Sequence, residues 1–271
     1  MKLNLSPLAV FIIGFILVFS TFKSYNIIIV GENHTDELGH KKQLEVIKDY
    51  YKYDKKIIIA MEMFQQPFQE YLDKYIQGEI DLNQLIEKTE YKKRWGFDIN
   101  LYKDILEFAR ENKIKIVALN IPSELLSEIR KKGLENIDSA YLPKPIPKHT
   151  PEEIKFIDEA MKEHKNIKNK QTFYDIQLAW DYGMTYKIYD TYKKYPNYKI
   201  IVLIGKGHAN TVKRFLNVLD SSLEIFVNDW ESPPPNGRDE MVSLIYLIFL
   251  YLLKPSLLIL PPLKIYKDHK H

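Results

Sequence analysis

Short apolar runs rich in β-branched residues alternate along this chain with longer stretches whose apolar positions recur at helical spacing. Residues 26–30, 57–61, 115–119, 199–204 and 223–227 are such runs and predict strands. A helix is expected over 37–53. After Pro67, the residues Phe68, Tyr71, Leu72, Tyr75 and Ile76 share one helical face, and Gly78 suits the end of that helix. Asp81 with Gln84 forms a capping pair for the next short helix. Residues 99–112 read as helix, and a further short one, capped by Ser123, runs to Gly133. Strands alternating with helices predict an α/β fold, a mostly parallel sheet covered by helices.

Two kinds of segment break that rhythm. Residues 141–151 hold four prolines, which forbids helix and sheet interior and reads as an extended connector. Thr150-Pro151-Glu152-Glu153 then supplies a cap, a proline at the first helical position and an acidic first turn. Helices over 151–164 and 171–195 complete a helical insertion of about 141–196. At the other extreme, no charge follows Lys2 until Lys23. The apolar run 8–19 has the length of a signal-peptide core, with Val18 and Ser20 at small-residue cleavage positions. The whole uncharged stretch 3–22 suits an uncleaved anchor equally. Residues 1–24 are therefore expected to be a signal peptide or membrane anchor. That places the domain 25–232 outside the cytoplasm, membrane-associated, at the periplasmic face or cell surface. Residues 233–271 form an apolar C-terminal extension whose run 241–253 is too short to cross a bilayer. A core element, a dimer face and a membrane-lying segment stay open for it.

Composition narrows the function classes. Lys and Arg number 39 against 36 Asp and Glu, so no basic field draws the chain to nucleic acid. The absence of cysteine excludes disulfides, thiolate metal sites, cysteine nucleophiles and lipid attachment through cysteine.

Candidate chemistry lies at the carboxyl ends of the expected strands. The first leads into Gly31-Glu32-Asn33-His34 and the fourth into Gly205-Lys206-Gly207-His208; the second runs into Glu62 and the third into Asn120. Open α/β sheets bind ligands in the crevice beyond those ends, where glycines let backbone approach closely. The expected ligand-binding set is Gly31, Glu32, His34, Glu62, Asn120, Gly205 and His208. His34, Glu62 and His208 could hold a divalent metal (Mn, Zn or Co) while Glu32 or Glu62 serves as general base. Without a metal, a His–Glu pair can move protons near neutral pH. His40 is expected at the surface, as are His149, His164, His269 and His271, in the connector or on the surface. Trp95 and Trp180 read as packing residues or as aromatic walls for a flat cofactor.

These residues resemble the ChaN-like haem-binding family, related to the TIKI/TraB group. The resemblance rests on Gly31-Glu32-Asn33-His34 with His40 and Gln43, Met61-Glu62-Met63-Phe64, and Arg94-Trp95-Gly96-Phe97 with Tyr102. It continues through Ala118-Leu119-Asn120-Ile121-Pro122, Gln177-Leu178-Ala179-Trp180-Asp181 and Gly205-Lys206-Gly207-His208, spanning roughly 26–230. It implies an exported, membrane-associated protein of iron or haem acquisition, with haem as ligand and a homodimer formed around it. It also implies a tyrosine as a possible axial ligand, which no motif here identifies. The lipobox cysteine is missing, so any tether must be the N-terminal segment. The TIKI-type relatives imply the alternative, a metal-dependent hydrolase using His34, His208 and Glu62.

Overall fold

A computed structural model describes residues 25–162 and 169–228; the expectations for 1–24 and 233–271 lie outside the described residues. Five strands, β1 (Ile27–Glu32), β2 (Ile57–Gln65), β3 (Lys115–Asn120), β4 (Lys199–Gly205) and β5 (Ile225–Asn228), form one sheet in the order β3-β2-β4-β1-β5. Every pairing is parallel. The strands are buried on both faces, which is why their sequences are continuously apolar rather than alternating.

The covering helices are α1 (Glu37–Tyr53), α2 (Gln69–Gln77), α3 (Leu82–Lys88), α4 (Tyr91–Arg94), α5 (Asn100–Glu111), α6 (Ser123–Lys132), α7 (Pro151–Lys162), α8 (Lys170–Lys194) and α9 (Lys206–Leu219). Ile28, Val30, Ile59 and Met61 point to the side covered by α1, α2 and α5. Ile27, Ile29, Ile58 and Ala60 point to the opposite side, where Met184 and Ile188 of α8 and Val212 and Leu216 of α9 meet them. The neighbouring strands β1 and β4 therefore send their chains to opposite faces, β1 into α1 and β4 into α9. Such a divergence opens a crevice at the carboxyl ends of the two strands.

Some local expectations change. Strand β2 continues four residues beyond the predicted Met61, through a register shift against β3, because tertiary pairing of Gln65 with Asn120 extends it. Ser123 does not cap α6. Pro122 holds that position, and the Ser123 hydroxyl instead accepts from Gln65 Nε2 at 2.7 Å. The Asp81–Gln84 capping box is present. Thr150 caps α7, its Oγ1 accepting from Glu153 N at 3.3 Å while Glu153 Oε2 accepts from Thr150 N at 2.8 Å. The segment 141–196 contains α8, and α8 lies on the sheet as the crossover from β3 to β4. Among the described residues no helix is long and apolar enough to cross a membrane.

Gly183 shows how tightly α8 is seated. A methyl group there would stand 2.3 Å from Ile121 Cγ2 and 3.4 Å from Leu142 Cδ2, both buried side chains. Alanine gains roughly 1 kcal/mol over glycine in a helix interior, but overpacking of a filled core costs about 1–3 kcal/mol. The branched Ile121 methyl has no free direction to retreat, so Gly183→Ala is expected to lower the denaturant midpoint of unfolding.

Candidate functional site

Glu32 ends β1 with its side chain fully buried. His34 Nδ1 lies 2.9 Å from its Oε1, and Tyr102 donates its hydroxyl to the same oxygen at 2.8 Å. Gln43 Nε2 donates to Oε2 at 2.9 Å, and His40 Nδ1 stands 3.4 Å from that oxygen. Burial alone would raise the Glu32 pKa. Hydrogen bonds from His34 and His40, the charge of His40 and the Tyr102 bond outweigh burial and bring it down to about 2. The His40 pKa is depressed by burial and lifted more strongly by its bond to, and charge attraction from, Glu32, so that it ends raised. A buried carboxylate thus anchors the Gly-x-x-His turn from below.

His40 was expected at the surface and is only 3% exposed. The helix α1 starts only at Glu37, with Asp36 as its cap, and His34 sits in the turn before it. The first turn of α1 therefore folds back over the strand end and carries His40 inward. There His40 Nε2 reaches the His34 carbonyl at 3.3 Å. The His34 ring is flanked by Trp95 and Phe97, each with its centroid 4.8 Å away.

Gly205 joins the two halves of the rim. Its N–H donates to Glu62 Oε2 at 2.6 Å. A Cβ there would meet His34 Cε1 at 3.0 Å, His34 Nε2 at 3.3 Å and His208 Cδ2 at 3.5 Å. Both imidazoles rest against this one residue, and only glycine leaves room for them. Gly31 serves a similar purpose, since a Cβ on it would press on Lys206 at 3.1 Å.

His208, on the first turn of α9, has Nδ1 2.6 Å from Asp181 Oδ1 and Nε2 3.8 Å from Glu62 Oε1. The other Asp181 oxygen lies 2.7 Å from His149 Nε2. Burial would lower the His208 pKa, but the Asp181 charge and hydrogen bond, with the Glu62 charge, push it up to about 9. Asp181 is pushed up by burial and held below the ordinary carboxylate range by the charges and bonds of His208 and His149. His149 lies in the connector as expected, but not at its surface: its side chain is buried and stacks on Phe215 at 6.0 Å.

The structure thus brings His34, Glu32, Glu62, Gly31, Gly205 and His208 to one rim. Asn120 ends β3 nearly buried and its Oδ1 joins none of these hydrogen bonds. Among the described residues no group of three His, Asp or Glu side chains is arranged to hold a metal ion. The predicted trio instead divides between the pair His208–Glu62 and His34, whose Nδ1 is taken by Glu32. Asp181 entered the sequence reading only as part of a resembling run. Its signal was an acid inside 179–185, a stretch of α8 buried on nearly every side, where an unpaired carboxylate is not tolerated.

Beside His208 opens a cavity of about 380 Å³. Phe156, Ile157 and Phe173 form its apolar wall, and Glu152, Glu153, Lys206, Gln177 and Thr211 supply charged and polar groups. Phe156 is 53% exposed despite being aromatic.

Residues 18–213 match the family described as haem-binding uptake, Tiki superfamily, ChaN. The chain belongs to the ChaN family. Among solved structures, one reporting cofacial haem binding to ChaN of Campylobacter jejuni aligns with this ChaN-family chain at TM-score 0.58 and 20% identity. That alignment covers 78% of this chain and 83% of the other. At this identity it attests the shared fold. A mutant of erythromycin esterase EreC in its open conformation aligns at TM-score 0.41 and 14% identity, over 70% of this chain and 63% of that one. No curated protein matches the ChaN-family chain in sequence.

The raised His208 pKa has a measurable consequence. A group whose folded pKa lies above its ordinary value of 6.5 stabilises the fold fully below that pH. The contribution is then lost as pH rises through about 9. Thermal melts are expected to show Tm falling over that interval in the native protein, with a shallower slope in Asp181→Asn.

Proposed function

We propose that this chain binds haem in the cavity beside His208, between α7, α8 and the first turn of α9, in the service of haem or iron uptake. The observation that carries the reading is the cavity beside His208, walled by Phe156, Ile157 and Phe173 and rimmed by Lys206. Its volume of about 380 Å³ falls in the range of cofactor pockets, which are largely apolar with a few placed polar groups. The half-exposed Phe156 offers a ring face to a flat macrocycle. Lys206 is the cation on this lining that would meet a haem carboxylate, since the charge of His208 is already paired with Asp181 and Glu62. Membership of the ChaN family supports the same reading.

When bound, haem would supply an iron centre able to take a further ligand. His34 and His208 each commit Nδ1 to a carboxylate, so each can meet a ligand only through Nε2. Tyr102 is unsuited as a phenolate donor, because burial and the Glu32 charge drive its pKa far up while its hydroxyl is bonded to that carboxylate. Burial, with the charges of Glu32 and Asp98, does the same to Tyr91. In our reading a second copy covers the outer face of the haem, and the uncharged stretch 3–22 sends the domain out of the cytoplasm and ties it to the membrane.

The test is a haem titration of the full chain in detergent, followed by absorbance. A saturable Soret band is expected, and Phe156→Glu should weaken affinity about tenfold or more, which corresponds to roughly 1.4 kcal/mol or more of lost contact. Absence of a saturable response would refute the proposal.

A further inference from the structure

His149 does not line the cavity beside His208, yet it is tied to that histidine through one shared carboxylate. Asp181 is gripped at both oxygens, Oδ1 by His208 Nδ1 at 2.6 Å and Oδ2 by His149 Nε2 at 2.7 Å. A carboxylate held at one oxygen can turn about its Cβ–Cγ bond; held at both, it cannot.

His149 is itself fixed from two directions. Its ring lies parallel to that of Phe215 on α9, with planes 10° apart. The connector next to it is fastened by Arg214, which donates to the Lys148 carbonyl at 2.9 Å and to both carboxylate oxygens of Glu153, at 2.8 and 2.6 Å. Three elements therefore converge on Asp181: the proline-rich connector through His149, α8 through Asp181 itself, and α9 through His208. With Nδ1 committed to Asp181, His208 turns Nε2 toward Glu62. The 3.8 Å separation from Glu62 Oε1 is too long for a direct hydrogen bond and leaves an ion pair on that side of the ring.

We infer that His149, acting through Asp181, is a positioning residue that fixes the ring of His208 where it borders the cavity and any ligand held there, with Nε2 kept toward Glu62. The inference rests on the haem reading only for the identity of that ligand. A connector that looks like a passive link between α6 and α7 would then set the orientation of the binding histidine.

The test reads the His208 ring directly in the full chain without haem, by long-range proton–nitrogen NMR of histidine-labelled protein in micelles. The native protein is expected to give one set of His208 ring signals with a hydrogen-bonded Nδ1 proton. His149→Ala should broaden or double that set as the freed carboxylate turns. His149→Gln, whose amide donor can reach Asp181 Oδ2, should restore it. His149→Phe keeps the stacking on Phe215 without the donor, so it should behave like the alanine variant even where the latter folds poorly. In a parallel haem titration, the alanine and phenylalanine variants should bind about tenfold more weakly and the glutamine variant within about twofold of native. Unchanged His208 signals in the phenylalanine variant would overturn the inference. A changed spectrum in the alanine and phenylalanine variants, with a native protein that takes up no haem, would uphold the positioning role and refute the haem reading instead.

Discussion

Glu32→Ala is expected to destabilise the protein by about 3–5 kcal/mol, the cost of leaving a buried charge network without one partner. The carboxylate is the common acceptor for His34, Tyr102 and Gln43 and the counter-charge of His40. Three of these partners cannot turn to water from inside the domain, since His40, Gln43 and Tyr102 are all buried. His40 must then give up its proton or stay charged in a low-dielectric interior, and either alternative costs free energy. Glu32→Gln keeps the shape but adds a donor where only acceptors are wanted, so it should recover little. Chemical denaturation at neutral pH measures both. Because the Glu32 pKa is lowered, its contribution is present above the ordinary value of 4.5 and disappears as pH falls toward 2. The gap between native protein and Glu32→Ala should accordingly narrow in acid.

The second large effect is expected at Asp181. Asp181→Ala leaves His208 and His149 facing each other across a cavity with no anion between them, and a loss of about 3–5 kcal/mol follows from the same reasoning. Asp181→Asn is the informative companion, since it preserves volume and removes charge. It should retain most of the stability at high pH, where His208 is neutral even in the native protein, and lose most near pH 6. Opposite pH trends for Asp181→Asn and Glu32→Ala would distinguish the raised histidine from the lowered glutamate.

The sheet was legible because its strands are buried on both sides, so that Ile27–Val30 or Ile200–Ile204 appear as unbroken apolar runs dominated by β-branched residues. The rim was legible because parallel strands must deliver their carboxyl ends to one edge. The glycines of the two Gly-x-x-His turns marked where backbone from β1 and α9 comes close, as the contact of Gly31 with Lys206 confirms. What escaped was set by tertiary burial. His40 and His149 sit among polar neighbours in sequence and are buried only because α1 folds back over β1 and the connector packs on Phe215. Phe156 looks like any apolar position of an amphipathic helix; only the packing of α7 beside α9 leaves it open at a cavity. Ser123 resembles a helix cap, but the extension of β2 brings Gln65 to its hydroxyl, a contact between residues far apart in sequence.

The central claim is that haem occupies the cavity beside His208, between α7, α8 and the first turn of α9, and the crystal structure of the haem-loaded protein tests it most directly. Density for the macrocycle against Phe156, with a carboxylate toward Lys206, is the expected result. Haem bound at a distant surface, with the cavity beside His208 unchanged, would contradict it.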